Sequence, residues 1–277
     1  MPFPLIFVVI LSFDMTKNLA FLALVPVLLY ACKNGGGGDN NTSPAEDSHV
    51  MTYKVIATYP HDTTAFTQGL EFYKGQLFEG TGENGESELR KVDLQTGKVL
   101  QKVDLDEKYF GEGITIFGDK IYQLTWESHV VFQYDTNFKL LRQFHIPTEG
   151  WGMTHDSTHL IVSDGSSKLY FRDPNTMDSV KVINVSNSSG LVNNLNELEY
   201  INGYIYANIW QTDNIIKINP ATGDVVSEAD LSKILEKSGH TVYDLNDVLN
   251  GIAYNPLTQK TYITGKRWPV LFEVTFN

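Results

Sequence analysis

The stretch QGLEFYKGQLFEGTG, residues 68–82, contains the unit that decides the fold. One apolar run leads into the turn Tyr73-Lys74-Gly75, and a second apolar run follows it. Glycine in such a turn allows the backbone angles of a tight hairpin, so the stretch predicts two antiparallel strands. Four later stretches repeat the pattern: EGITIFGDKIYQLTW from Glu112, WGMTHDSTHLIVSDG from Trp151, ELEYINGYIYANIW from Glu197 and NGIAYNPLTQKTYITGK from Asn250. The leading residues of successive stretches lie 44, 39, 46 and 53 positions apart.

A second strand–turn–strand unit follows each of the first four stretches: VDLQTGKVLQKVDL from Val92, YDTNFKLLRQFHI from Tyr134, RDPNTMDSVKVINV from Arg172 and INPATGDVVSEADL from Ile218. The Thr-Gly, Asp-Pro and Asn-Pro pairs in these units are turn signals. Each repeat therefore holds four short strands in about 45 residues, which is typical of one propeller blade.

The two ends of the repeat array predict how the ring closes. The fifth repeat ends with a third strand, LFEVTF from Leu271, and an unassigned strand, YKVIATY from Tyr53, precedes the first repeat. Pairing these two strands completes the last blade and removes an exposed edge. We therefore predict an all-β protein: a five-bladed β-propeller of four-stranded antiparallel blades over residues 50–277, with the ring closed by the N-terminal strand. A β-sandwich is the alternative, but it does not explain five copies of a four-strand unit. The segment LSKILEKSGH from Leu231 has helical periodicity and predicts an insertion that accounts for the longest spacing.

The N-terminal residues have the layout of a secretory signal. A lysine at position 17, an apolar stretch and a small residue precede Cys32 in MTKNLAFLALVPVLLYAC, residues 15–32. The ending Leu-Tyr-Ala-Cys resembles the lipobox of bacterial lipoproteins, which implies cleavage before Cys32 and lipid on its sulfur. We expect a signal peptide over residues 1–31 with its true start at Met15, and a Gly-rich flexible tether over residues 32–49. These features place the domain in a bacterial cell envelope, anchored to a membrane through lipid and either periplasmic or surface-exposed. An ordinary signal peptide with a chance cysteine is the alternative.

Charge and composition exclude several classes of partner. The formal net charge is -12 at pH 7, and a field of that sign repels nucleic-acid backbones. The single cysteine rules out a disulfide within the chain. The seven histidines are dispersed, and no His, Asp or Glu cluster has the spacing of a zinc site. We therefore expect no nucleic acid, no metal and no cofactor, and a monomer.

In a propeller, the loops entering the innermost strands form one rim, so the residue that leads each repeat should point there. These five residues are Gln68, Glu112, Trp151, Glu197 and Asn250. At equivalent strand ends lie Phe66, Trp126, Asn196, Trp210 and Lys266. All four tryptophans, including Trp268, fall in these short segments, which favours an aromatic-walled pocket with a few polar groups.

Each of these residues also has a structural interpretation. A single tryptophan is more often a core residue, and Lys266 could lie on the surface. We favour a structural role for Glu197, whose carboxylate could bond backbone groups between blades. The glycines on either side of Glu112 indicate a close backbone approach, although a turn also explains them.

Longer motifs identify a family resemblance. The segments FTQGLEF, YFGEGIT, YQLTW, TEGWGMTHD, LNELEYINGYIYANIWQTD, VLNGIAY and TGKRWPVLFEV, in this order between about Tyr53 and Val274, resemble the plant-type glutaminyl-peptide cyclotransferases. The resemblance implies a five-bladed propeller that converts the N-terminal glutamine of peptides or proteins to pyroglutamate without a metal ion and releases ammonia. It assigns general acid and base catalysis to Glu112. It also implies that the substrate is bound by Phe66, Gln68, Trp126, Trp151, Asn196, Trp210 and Lys266.

Two rival functions remain open from the sequence. One is a non-catalytic propeller that binds peptides or glycans at the cell surface. The other is a metal-dependent propeller hydrolase that acts on lactones. An intact Glu112 with the pocket residues favours the enzyme over the binding propeller, and activity without a metal ion would count against the hydrolase.

Overall fold

The computed structural model describes residues 50–242 and 244–277, and its strands form five four-stranded antiparallel sheets. The predicted five-bladed propeller is therefore confirmed. The predicted signal segment, the tether and Cys32 lie outside the described residues and stay predictions. Within the described part of the chain, no helix is long and apolar enough to cross a membrane.

Each blade is a meander whose first strand is innermost, except that the outermost strand of blade 5 comes from the start of the domain. Blade 1 comprises β2 (Thr67–Tyr73), β3 (Gln76–Thr81), β4 (Glu88–Val92) and β5 (Val99–Asp104), and blade 2 comprises β6 (Gly111–Phe117), β7 (Lys120–Thr125), β8 (Val130–Asp135) and β9 (Leu140–His145). Blade 3 comprises β10 (Met153–His155), β11 (Leu160–Ser163), β12 (Lys168–Arg172) and β13 (Ser179–Asn184). Blade 4 comprises β16 (Leu195–Ile201), β17 (Tyr204–Ile209), β18 (Asn214–Ile218) and β19 (Val225–Asp230), and blade 5 comprises β20 (Leu249–Asn255), β21 (Lys260–Gly265), β22 (Val270–Phe276) and β1 (Tyr53–Pro60). The innermost strands β2, β6, β10, β16 and β20 contact one another and line a central channel.

Two small elements lie between blades. The predicted helical insertion is present as α1 (Ile234–Lys237), which is shorter than the pattern indicated. It ends at Ser238, before Gly239 adopts a positive φ of 84° that a helix cannot continue through. A hairpin of β14 (Ser186–Asn187) and β15 (Gly190–Leu191) was not predicted, because its polar residues show no strand alternation.

The core is divided among the junctions between blades. Buried apolar side chains of the described residues group into five clusters. At the junction of blades 1 and 2, for example, Phe78 and Leu89 pack with Ile114 and Ile121. Because each blade buries both of its faces against neighbours, the ring holds the channel-lining strands in fixed relative positions.

The N-terminal strand closes the ring as predicted. Strand β1 pairs antiparallel with β22, from Tyr53 opposite Phe276 to Pro60 opposite Val270. Directly after β1, buried His61 bonds through Nε2 to Glu79 Oε1 at 3.0 Å, and Arg90 forms an ion pair with the same carboxylate. Although burial opposes ionisation, the charges of Arg90 and His61 lower the pKa of Glu79 to about 2.

Candidate active site

Bulges at the start of the innermost strands create the site. Strands β2, β6, β16 and β20 each begin with an irregular pairing to the next strand. The irregular positions hold the side chains of Gln68 in β2, Glu112 in β6, Asn196 and Glu197 in β16, and Asn250 in β20. A bulge adds a residue to one strand and re-aims its side chain, which brings Gln68, Glu112 and Asn196 together at one end of the channel.

A cavity of about 280 Å³ opens at this rim. It is lined by Phe66, Gln68, Phe110, Glu112, Trp126, Trp151, Asn196, Trp210, Asn246 and Lys266. The structure therefore brings together all eight pocket residues that the sequence singled out. An aromatic lining with a few convergent polar groups is the usual form of a small-ligand site.

Glu112 lies at the polar centre of the pocket and is 5% exposed. Gln68 Nε2 donates to its Oε1 at 3.2 Å, while its buried Oε2 has no hydrogen-bond partner among the described residues. Asn250 Nδ2 in turn donates to Gln68 Oε1 at 3.3 Å. Burial raises the pKa of Glu112 well above its usual value; the positive charge of Lys266 opposes this and the negative charge of Glu149 adds to it.

The glycines around Glu112 have the role that the sequence indicated. A Cβ on Gly111 would lie 2.6 Å from the carbonyl oxygen of Thr81, and a Cβ on Gly113 would lie 2.6 Å from the amide nitrogen of Met153. Both distances are shorter than a Cβ atom tolerates. The backbone that carries Glu112 is therefore packed directly between blades 1 and 3.

Lys266 and Asn196 provide the other polar groups of the pocket. Lys266 is buried, with Nζ 4.6 Å from the centroid of the Phe66 ring. Burial lowers the pKa of Lys266 to about 8, although the charge of Glu112 opposes this shift. Asn196 is 2% exposed, and its Oδ1 finds no hydrogen-bond partner within residues 50–242 and 244–277. Unpaired buried groups are costly, so Asn196 Oδ1 and Glu112 Oε2 mark where a polar ligand would bind.

The aromatic walls are rigid because their rings pack edge to face. Phe110 contacts Phe66 with ring centroids 6.1 Å apart and Trp126 with centroids 5.7 Å apart. Trp151 and Trp210 meet at an interplanar angle of 89°. These contacts are favourable arrangements for aromatic pairs.

The pairing of β16 shows that the fourth repeat begins one residue before Glu197. Strand β16 pairs Leu195 with Ile209 in the way that β6 pairs Gly111 with Thr125, so Asn196 is the counterpart of Glu112. The expectation that Glu197 faces the rim was wrong, because β6 and β16 have the same bulge and the fourth repeat begins one residue earlier, at Asn196. Its structural interpretation is confirmed: Oε1 accepts the Leu70 N–H of blade 1 at 3.2 Å and Oε2 accepts the Ile252 N–H of blade 5 at 2.8 Å.

Two other rim expectations were wrong. Asn250 lies behind the pocket, where it holds Gln68 and donates to the Thr67 carbonyl at 2.9 Å. Trp268 is buried in the apolar core, and its Nε1 donates to the Asp247 carbonyl at 2.8 Å. Its indole packs against Gly265, where a Cβ would come within 2.3 Å of the ring, so it supports the pocket loop from outside.

Sequence reasoning missed two lining residues, Phe110 and Asn246. A signal for Phe110 was present: it precedes Glu112 by two residues, as Phe66 precedes Gln68. Asn246 is exposed in the irregular loop before β20, and no repeat position predicts it.

The opposite end of the channel has a different cavity, of about 590 Å³. Glu71 and Glu199 line it, and both are buried. Glu71 Oε2 accepts from Thr115 Oγ1 at 3.0 Å, and Glu199 Oε1 accepts the Tyr254 N–H at 2.6 Å. Burial raises the pKa of Glu71 to about 8. Across the described ranges, no group of three or more His, Cys, Asp or Glu side chains is arranged to hold a metal ion.

A buried carboxyl group with a raised pKa can pass protons to and from a bound substrate near neutral pH. The fold and the pocket define the class of protein, a five-bladed β-propeller with a buried carboxyl group in a pocket at the rim of its channel. The sequence matches the glutamine cyclotransferase family over residues 28–276, and the chain belongs to this family.

Individual relatives agree with this membership. The chain is 41% identical over 269 residues to the glutaminyl-peptide cyclotransferase of Arabidopsis thaliana, covering 95% of this chain and 83% of the relative. It is also similar to the crystal structure of Myxococcus xanthus glutaminyl cyclase, with a TM-score of 0.79 and 36% identity. That match covers 83% of this chain and 99% of the other.

Proposed function

We propose that this chain converts the N-terminal glutamine of peptides and proteins to pyroglutamate and releases ammonia. Family membership and the 41% identity to a glutaminyl-peptide cyclotransferase support the reaction class. The observation that carries the proposal is the Glu112 carboxyl, which is buried and has a raised pKa, and whose Oε2 is unpaired in the described part of the chain.

Glu112 is proposed to act first as a base and then as an acid. The lone pair of the substrate's α-amine attacks the side-chain amide carbon, and the carbonyl π electrons move onto its oxygen. Glu112 Oε2 takes a proton from the attacking nitrogen and returns one to the amide nitrogen. The electrons on the oxygen then re-form the carbonyl as the bond to the former amide nitrogen breaks, ammonia leaves and the five-membered lactam remains. A raised pKa suits both steps, because it brings Glu112 closer to an α-amine with a pKa of about 8.

The other polar residues are proposed to bind and polarise the substrate amide. Lys266 is mostly charged below pH 8 and can stabilise the negative charge that develops on the carbonyl oxygen. Asn196 Oδ1 can accept the N–H of the substrate amide or amine. Gln68, held by Asn250, orients Glu112. Phe66, Trp126, Trp151 and Trp210 surround the glutamine stem and exclude water, which keeps amine and amide in contact.

A mass-spectrometric assay tests the function. A synthetic peptide that begins with glutamine should lose one ammonia when incubated with the protein, and the rate should be unchanged by metal chelators because side chains carry every step. The same peptide with an acetylated N-terminus should not react, since its nitrogen cannot attack. Binding of the free peptide without loss of ammonia would instead support the non-catalytic propeller.

A further inference from the structure

We propose that Glu149 is a positioning residue that fixes two walls of the pocket by binding both indole groups with one carboxylate oxygen. Its Oε2 accepts from Trp126 Nε1 at 2.9 Å and from Trp151 Nε1 at 2.9 Å. Trp126 directly follows β7 of blade 2, and Trp151 lies two residues before β10 of blade 3. One oxygen therefore joins two blades at the rim. The inference rests on the proposed function, because both indoles line the proposed substrate pocket.

The position of Glu149 is itself fixed by its neighbours. The carbonyl of Thr148 accepts from His129 Nδ1 at 2.7 Å, and its hydroxyl accepts from Arg172 Nη2 at 3.2 Å. On the other side, Gly150 packs so closely on blade 2 that a Cβ would lie 2.9 Å from a side chain. The backbone is held on both sides, so the carboxylate is a fixed anchor for the indoles.

The effect extends beyond the two bonded rings. Trp126 packs against Phe110 with ring centroids 5.7 Å apart, and Trp151 packs against Trp210 with centroids 5.5 Å apart. Four wall rings therefore depend on Glu149. The negative charge of Glu149 also raises the pKa of Glu112, so its geometric and electrostatic effects must be separated by experiment.

Two substitutions separate these effects in the full chain acting on a peptide that begins with glutamine. Glu149→Ala removes the acceptor, and we expect kcat/KM to fall about tenfold to a hundredfold, mainly through KM, because the walls lose their spacing. Glu149→Gln keeps an oxygen acceptor but removes the charge. It should hold KM within about twofold of the native value while the acidic limb of the kcat/KM profile moves to lower pH. Glu127→Ala, an exposed carboxylate next to Trp126, is the matched control and should change neither quantity.

A second measurement does not depend on turnover. The chain has four tryptophans, so a ¹⁵N-indole spectrum contains four N–H peaks, which single Trp→Phe variants assign. In Glu149→Ala the Trp126 and Trp151 peaks should shift, and the Trp268 peak, bonded to the Asp247 carbonyl, should stay. Unmoved Trp126 and Trp151 peaks, or a native kcat/KM in Glu149→Ala, would overturn the proposal. If the native protein cyclises no peptide, the proposed function fails, whereas the indole shifts still decide whether Glu149 holds the walls.

Discussion

Glu112, at the rim of the channel, has one buried carboxyl oxygen without a hydrogen-bond partner among the described residues. Deeper in the channel, both carboxyl oxygens of Glu197 accept backbone N–H groups. Burial raises the pKa of both residues. The two residues differ in their hydrogen bonds. Both oxygens of Glu197 are paired with backbone N–H groups, whereas one oxygen of Glu112 is available to a ligand. A raised pKa alone therefore does not identify a catalytic group in this protein.

The largest effect should come from Glu112→Gln. The amide oxygen of the new side chain can still accept from Gln68, so the fold should be kept, but the group can no longer exchange protons. We expect the cyclisation rate to fall about 10²–10⁴-fold with an unchanged melting temperature. Steady-state kinetics and thermal unfolding measure the two quantities. Native activity in the variant would remove Glu112 from the mechanism.

Glu197→Ala should lower stability and largely keep activity, the reverse of Glu112→Gln. It leaves the buried N–H groups of Leu70 and Ile252 without their acceptors, and each such loss costs about 1–3 kcal/mol. The free energy of unfolding should fall by about 2–6 kcal/mol, measured by urea denaturation. Activity below the unfolding transition should change far less than in Glu112→Gln. Unchanged stability would show that Glu197 does not tie the blades.

The pH dependence of stability tests the buried carboxyl group of Glu71 at the opposite end of the channel. Its pKa is raised from 4.5 to about 8 in the folded state, so its stabilising contribution is complete below pH 4.5 and is lost as the pH rises towards 8. The free energy of unfolding should fall over this window by up to about 1.4 kcal/mol per pH unit for this carboxyl group. Glu71→Gln should flatten this part of the profile. Denaturation series at pH 5, 6.5 and 8 measure the slope, and equal slopes in both proteins would contradict the assignment.

The smallest change should come from Asn250→Ala, which removes the donor that holds Gln68. Because Gln68 then orients Glu112 less firmly, kcat/KM should fall about three- to tenfold, which corresponds to about 1 kcal/mol. Peptide kinetics at fixed pH measure this loss. A fall as large as that of Glu112→Gln would place Asn250 in contact with substrate instead of behind it.

The repeat predicted most of the fold, because five copies of a four-strand unit leave few architectures. It also predicted every pocket residue except Phe110 and Asn246. Its alignment on the two glutamates misplaced Glu197 by one residue, whereas the distance to the hairpin turn gives the correct frame: Asn196 precedes Ile201 at the end of β16 by five positions, as Glu112 precedes Phe117 at the end of β6. The hydrogen bonds from Trp126 and Trp151 to Glu149 could not be predicted from the sequence either, because the two tryptophans come from different blades.

The closure of the ring has a consequence for the order of synthesis. Strand β1 is made first, but its partner β22 is among the last residues of the chain. While the ribosome makes the intervening blades, β1 has no native neighbour, and side chains that are half-buried in the closed ring, such as Tyr53 and Tyr59, stay exposed. The ring therefore closes only after all five blades have been synthesised, and until then the unpaired edges of β1 are open to mispairing.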